Sequence, residues 1–399
     1  MKKLVIMGCF TYLLCGIGHI IIGTVLEPLI HYYGVSYSDG GQLIMNQFLG
    51  FLAGVLAAPA ILKIIGRRIT LFIALLLFAS SQLSLFLLLP WNIMLWIIPL
   101  GGAGFGIMET LLAGMIIGAL QDKKASIMTL TELFFGIGAL AIPVVSAAFI
   151  ATGHWNNIFA VVFVIILISC SLWTLLHFGQ YEPLLKRQSQ TEKTAHTAAK
   201  IRYPKTAWPV IFLGSLFFFL YVGVEMTFPN YLPSILSMTS DLSSSALALS
   251  ITVFWGAMTF GRLLMILIID RVDIRKLFFV TVFGQMIFLG LFALSPHIVF
   301  SYIVIFFAGL IMGGIFALGL LVVNEGIPGL EDRTTSLLIA MGGLGGAFLP
   351  KLAGSLLDTY PVTVTLWVLF GFAVLMTILM ILIRKLSKQL ALKLRQEAT

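Results

Sequence analysis

The chain has 399 residues, 60% of them hydrophobic and 10% charged, with a mean hydropathy of +1.07. Soluble chains carry about 25% charged residues, so this one could not cover a water-facing surface, and a soluble enzyme is excluded. Disorder is excluded as well, because it needs low hydrophobicity and high charge. The formal net charge of +8 then has to be explained by where the basic residues lie.

The chain opens on Met1-Lys2-Lys3 and an apolar run that continues to residue 30. That run is longer than a cleavable signal core and no small-residue cleavage site follows it, so it reads as the first membrane span. A hydrocarbon core of ~30 Å needs about 20 helical residues. Six such stretches cover residues 4–30, 41–62, 69–89, 93–120, 127–150 and 155–178, and a polar stretch, 179–207, follows. Six more cover residues 208–236, 245–269, 277–294, 298–323, 334–357 and 362–383. The pattern predicts an all-α integral membrane protein with twelve transmembrane helices. Residues 1–178 form an N-terminal six-helix half, 179–207 a cytoplasmic linker, and 208–399 a C-terminal half with a short cytoplasmic tail. Cys9, Cys15 and Cys170 all lie in apolar runs and read as small buried hydrophobes, with neither paired nor metal-ligand spacing.

Placing the N-terminus inside puts 22 of the 24 Lys and Arg in cytoplasmic segments. Only Arg262 and Lys351 lie within spans. This asymmetry follows the positive-inside rule and predicts cytoplasmic termini and an even span count. The basic residues are scattered over every cytoplasmic loop, which argues against a nucleic-acid footprint.

The polar stretch near the midpoint invites comparison of the halves. One offset of 207 residues places Gly136-Ile-Gly-Ala-Leu-Ala-Ile-Pro143 on Gly343-Leu-Gly-Gly-Ala-Phe-Leu-Pro350. It also places Gly54 on Gly261, Gly102 and Gly106 on Gly309 and Gly313, and Gly66-Arg67-Arg68 on Asp273-Ile274-Arg275. Several matches at one offset indicate a duplicated six-helix unit. Two pseudo-symmetric parallel halves around a central cavity are the major facilitator arrangement. The loop after the second span resembles that superfamily's Gly-x-Leu-x-Asp-Arg-x-Gly-Arg-Arg signature. Gly66, Arg67 and Arg68 are kept and Lys63 stands at the aspartate position, while Asp270 and Arg271 keep the missing part in the second half. The resemblance implies a cytoplasmic gating motif at these six residues.

Three further segments, Gly104-Phe-Gly-Ile-Met-Glu109-Thr110, Glu132-Leu-Phe-Phe-Gly-Ile-Gly-Ala-Leu140 and Leu220-Tyr-Val-Gly-Val-Glu225, resemble the fucose permease family. The likeness is to its Gram-positive glucose/mannose–proton symporter branch in particular, and Asn46-Gln47-Phe48, Phe254-Trp255 and Gly261-Arg262 fit the same branch. The resemblance implies sugar–proton symport in a bacterial cytoplasmic membrane. Gly23-Thr24 stands about where the fucose permease carries an Asn-Asp pair, which puts fucose itself and a copied proton pathway in doubt.

The sequence has no phosphate-binding Gly-x-x-x-x-Gly-Lys-Ser/Thr loop and no metal-ligand cluster, so no cofactor or metal is expected. The glycine runs read as small residues that let helices approach closely. Carboxylates at the bilayer centre cost about 2.5–3.5 kcal/mol on the insertion scale and so usually serve a pathway or a partner. Glu109 in the fourth span and Glu225 in the seventh are therefore candidate proton carriers, or acceptors for substrate hydroxyls; a structural hydrogen bond is the other reading of Glu225. His19 reads as a proton relay or as a packed histidine. Glu27 and Lys351, toward outer ends, fit snorkelling or a gate pair equally well. Glu132 and Glu325 suit structural or gating roles beside basic loops.

Sugar recognition needs aromatic faces and polar partners for hydroxyls in an otherwise apolar cavity. Asn46, Gln47, Glu109, Asn230, Tyr231 and Trp255 are candidates; for Trp255, lipid or core packing is the competing reading. The leading expectation is a proton-coupled hexose importer that works by alternating access as a monomer in the lipid bilayer, with a monosaccharide and protons as its partners. A proton-linked drug or metabolite exporter of the same fold is the main rival, because fold does not fix function.

Overall fold

The computed structural model describes residues 2–119, 124–179, 182, 203–269, 271–295, 297–325, 327 and 330–397. Among these, twelve segments are long and apolar enough to cross a membrane, and no strand occurs. The described residues fall into two compact units, one spanning Met1–Thr191 with Asn230–Thr252 and the other Glu192–Pro229 with Val253–Thr399.

In the first half, α1 (Lys2–Thr24), α2 (Leu26–Tyr33), α3 (Tyr37–Ile65), α4 (Arg67–Phe86), α5 (Trp91–Ala119), α6 (Lys124–Ala151) and α7 (Asn157–Leu175) follow one another. The first predicted span is thus two helices, interrupted at Val25. Just before the break, the Thr24 hydroxyl donates to the Ile21 carbonyl at 2.7 Å and lies 2.9 Å from Ser146 Oγ on α6. The second span starts four residues earlier than the apolar pattern suggests, because a capping box begins it. Ser36 Oγ accepts the Asp39 N–H at 3.1 Å, and Asp39 Oδ2 accepts the Ser36 N–H at 3.1 Å. Such caps contribute about 1 kcal/mol, enough to carry a helix past its apolar stretch. Gly66 joins α3 to α4 at φ 82°, a left-handed conformation that favours glycine.

In the second half, α8 (Trp208–Ser237), α9 (Ser244–Ile268), α10 (Ile274–Ala293), α11 (Ile298–Met312), α12 (Ile315–Glu325), α13 (Glu331–Thr359) and α14 (Val362–Glu397) complete the chain. At the position matching Gly66, Asp273 caps α10 with its side chain, Oδ1 accepting the Lys276 N–H at 2.9 Å. Here too the cap, invisible to hydropathy, advances the helix start. The tenth predicted span is interrupted at Gly313 and Gly314, where two glycines in succession weaken helix propensity. The last helix continues to Glu397, beyond the expected end at 383.

The repeat seen in the sequence is a packing repeat. A Cβ on Gly54 would overlap the Ala103 carbonyl oxygen, and one on Gly261 would overlap that of Leu310. Gly102 sits in the same way on Gln47 and Gly309 on Phe254, and Gly106 on Phe51 and Gly313 on Met258. Each partner pair is again 207 residues apart. In both halves one helix lies against another with backbone touching backbone, which only glycine permits. All three cysteines are free and buried, as their apolar setting suggested.

Candidate functional site

Within the first unit, His19 on α1 is buried and enclosed by four rings. Their centroids lie 5.6 Å (Phe48), 5.1 Å (Phe51), 4.6 Å (Phe105) and 5.1 Å (Phe135) away. His19 Nδ1 lies 2.9 Å from the Cys15 carbonyl oxygen. A carbonyl only accepts, so Nδ1 carries the proton and the tautomer is fixed. Glu109 Oε1 on α5 lies 3.7 Å from the same nitrogen, too far for a hydrogen bond. That oxygen is buried and has no hydrogen-bond partner. The first unit therefore holds an acid–imidazole pair in an aromatic enclosure, with one carboxyl oxygen left unmatched.

The second unit treats its acid differently. Glu225 on α8 is buried, with Oε1 3.1 Å from the Tyr221 hydroxyl and 3.6 Å from Arg262 Nη2 on α9. The Tyr221 hydroxyl also lies 2.9 Å from the carbonyl oxygen of Met312, the last residue of α11. Tyr221 and Arg262 were not among the predicted site residues. The i, i+4 spacing of Tyr221 and Glu225 on one helix face, and a lone arginine inside the eighth span, were the signals available.

The predicted sugar contacts divide three ways. Asn46 has both ends of its amide engaged: Nδ2 donates to the Leu95 carbonyl at 3.0 Å, and Oδ1 accepts from Gln42 Nε2 at 2.9 Å. Gln47 is buried and donates to the Gly18 carbonyl at 3.0 Å. Asn230 and Tyr231 are fully buried; the Asn230 carboxamide rests on Gly23, and the Tyr231 hydroxyl donates to the Tyr37 carbonyl at 3.1 Å. Gly23 therefore has no room for a side chain of any kind. Trp255 is fully buried, and its indole N–H has no partner. A buried donor without an acceptor is costly.

Of the predicted gating residues, Lys63 is exposed in the last turn of α3, and Gly66 is the junction between α3 and α4 already described. Arg67 is half-buried, Arg271 is exposed, and Asp270 lies outside the described residues. Arg68 makes four hydrogen bonds, to the carbonyls of Trp173, Thr174 and Leu176 at 3.1, 3.0 and 2.9 Å and to Glu182 at 2.6 Å. Its repeat equivalent, Arg275, pairs instead with Glu325 at the end of α12. Toward the outer end of the first span, Glu27 pairs with His31 of its own helix at 3.4 Å.

Comparison with known proteins decides the family. The Major Facilitator Superfamily description matches residues 8–350. The chain belongs to that superfamily. It is 26% identical over 99% of its length to the glucose/mannose transporter GlcP of Bacillus subtilis (strain 168), and 98% of that protein is covered. It is 23% identical over 96% of its length to the sodium-dependent glucose transporter 1 of Homo sapiens, with 79% of that protein covered. Among solved structures, a D-xylose-proton symporter superposes with a TM-score of 0.80 at 16% identity, covering 95% of this chain and 97% of the other. The nucleoside transporter NupG superposes at 0.72 with 13% identity, covering 96% and 98%. These structures share the fold. This superfamily member is a multi-pass membrane transporter.

Proposed function

We propose that this transporter imports a hexose together with protons by alternating access. It acts as a carrier rather than an enzyme, as a monomer in a bacterial cytoplasmic membrane with both termini and the 179–207 linker inside. The observation that carries the reading is the His19–Glu109 pair, where a carboxyl oxygen inside a membrane-spanning unit has no hydrogen-bond partner and an imidazole stands 3.7 Å away. A proton carrier must exchange between neutral and charged forms, and a carboxyl with an unfilled position can take either. Glu109 is thus the favoured carrier, with His19 its relay and Glu225 the other acid at depth. The likeness to a glucose/mannose transporter supports a hexose, and Trp255 in the second unit offers it a ring face and an unpartnered indole N–H.

The test is uptake in proteoliposomes with and without an imposed pH gradient. Glu109→Gln keeps size and hydrogen bonding but fixes the neutral state. Gradient-driven accumulation should disappear while equilibrium exchange of labelled glucose or mannose persists. If Glu109→Gln and Glu225→Gln both still accumulate sugar, neither acid couples transport. Exchange of apolar drugs in place of hexose would favour the exporter. Orientation is read separately, from cysteines introduced at Ser189 and Asp241. An impermeant reagent on intact cells should label Asp241→Cys alone, and labelling of Ser189→Cys alone would invert the topology.

A further inference from the structure

Arg262 is a guanidinium within a membrane-spanning helix, and its side chain is 30% exposed. Its only hydrogen-bond contact among the described residues is a long one, 3.8 Å to the Met258 sulfur. Glu225 Oε1, at 3.6 Å, attracts it electrostatically but lies beyond hydrogen-bond range. Most of the five N–H donors of the guanidinium are therefore unused at membrane depth, where unpaired polar groups are costly.

Both partners are held in place. Tyr221 is fully buried, and its hydroxyl lies 2.9 Å from the Met312 carbonyl oxygen and 3.1 Å from Glu225 Oε1, with its single hydrogen shared between these two acceptors. The glycine step that follows Met312 seats α9: a Cβ on Gly313 would lie 2.6 Å from the Met258 carbonyl oxygen and 2.9 Å from the Arg262 nitrogen. The interruption between α11 and α12 thus fixes the backbone that bears Arg262 and the hydroxyl that orients Glu225. All six residues belong to the second unit.

We propose that Arg262 and Glu225 form a subsite for a vicinal diol of the transported sugar. The planar guanidinium edge donates to two adjacent hydroxyl oxygens, and the carboxylate accepts a hydroxyl hydrogen. The arrangement suits a neutral polyol because it offers donors and acceptors side by side, and the fork geometry of arginine presents paired N–H groups. It does not suit an anion, which would meet the Glu225 carboxylate as soon as it reached the guanidinium. The assignment rests on the hexose reading above and adds Arg262 to it as a specificity-determining residue.

The experiment is counterflow in proteoliposomes with glucose and its 2-, 3-, 4- and 6-deoxy analogues. The wild-type protein should lose affinity about five- to two-hundredfold for analogues lacking one of two adjacent hydroxyls, the range for one buried hydrogen bond. The variant R262M/E225Q removes both charges together and leaves no lone buried ion. It should bind glucose more weakly by a similar factor and no longer distinguish those analogues, since losses at contacting groups do not add. Arg262→Lys, which keeps the charge and drops the planar fork, should also lose the distinction; it carries the comparison if the double variant does not unfold cooperatively on heating. A folded variant that keeps the wild-type analogue ranking would overturn the subsite. So would stronger competition by gluconate than by glucose. Failure of the wild-type protein to exchange any hexose would instead overturn the hexose reading itself.

Discussion

The two halves share a packing frame and differ in where they put charge. Three glycine contacts recur at one offset: Gly54 on Ala103 and Gly261 on Leu310, Gly102 on Gln47 and Gly309 on Phe254, Gly106 on Phe51 and Gly313 on Met258. The four ionisable groups of the candidate site do not obey that offset. His19 falls on Met226, Glu109 on Phe316, Glu225 on Gly18 and Arg262 on Val55. Backbone-to-backbone contact tolerates no side chain, so it fixes the register of both halves. Polar groups at depth need only a partner or a ligand, and each half met that need separately. The result is an acid with an unfilled hydrogen-bonding position in the first half and an acid facing a guanidinium in the second.

The largest effect should come from exchanging the two acids' roles by mutation. Glu109→Gln is expected to abolish pH-driven accumulation outright. Glu225→Gln is expected to leave accumulation dependent on the gradient while weakening sugar affinity. Measuring accumulation and exchange side by side for both variants checks the difference. Identical behaviour would mean that the halves divide nothing between them.

Next in size is the shared frame. Gly102→Val and Gly309→Val each drive a side chain into a carbonyl oxygen of the neighbouring helix. Overpacking of this kind typically costs about 1–3 kcal/mol, and backbone resists more than a flexible side chain would. The two variants should lower the thermal unfolding midpoint in detergent by similar amounts. A large loss in one half and none in the other would break the equivalence of the frames.

Trp255→Phe should act mainly on binding. The indole N–H has no partner, so deleting it breaks no hydrogen bond, and its cost to stability is limited to the void left by the smaller ring beside Phe254. A substrate hydroxyl that accepts from it would be lost, weakening affinity about five- to two-hundredfold. Gln47→Ala should differ, since its amide already donates to the Gly18 carbonyl. Stability and affinity are then expected to fall together. Thermal unfolding and counterflow on the same preparations separate the two cases.

The spans, the repeat and the placing of both acids within spans were legible in the sequence, because hydropathy, spacing and charge distribution are local properties of the chain. The helix starts at Tyr37 and Ile274 were not, since Ser36 and Asp273 act through single side-chain hydrogen bonds that hydropathy does not register. The division between α11 and α12 was hidden for a related reason: Gly313 and Gly314 read as helix-packing glycines until the neighbouring helix is placed. Arg262 was visible as a charge inside a span, yet its partner on another helix was not, because tertiary proximity has no spacing rule. Asn46 and Asn230 have neighbours that no spacing rule shows: the fold engages Asn46 at both ends of its amide and seats Asn230 on Gly23.

The smallest expected effect lies at the cytoplasmic edge, where the repeat-equivalent arginines diverge. Arg68 closes the carbonyl end of α7 with three hydrogen bonds and adds Glu182, whereas Arg275 has the half-exposed Glu325. Exposed ion pairs contribute about 0.2–1 kcal/mol, so Arg275→Ala should barely move the unfolding midpoint. Arg68→Ala should move it further, because it also strips three helix-end carbonyls of their donor. The Glu182 arm has its own signature in pH. Its carboxyl accepts the Phe178 N–H and then faces Arg68, and these hold it below the ordinary value of 4.5. A carboxylate held low in the folded state stabilises the fold above its unfolded value, and that contribution disappears as pH falls through the lowered one. Unfolding midpoints measured from pH 6 downward should therefore decline less steeply in Glu182→Gln than in the wild-type protein, with the gap closing as pH falls through that lowered value. A slope in Glu182→Gln equal to that of the wild-type protein would show that the Glu182 arm adds nothing to the Arg68 clamp.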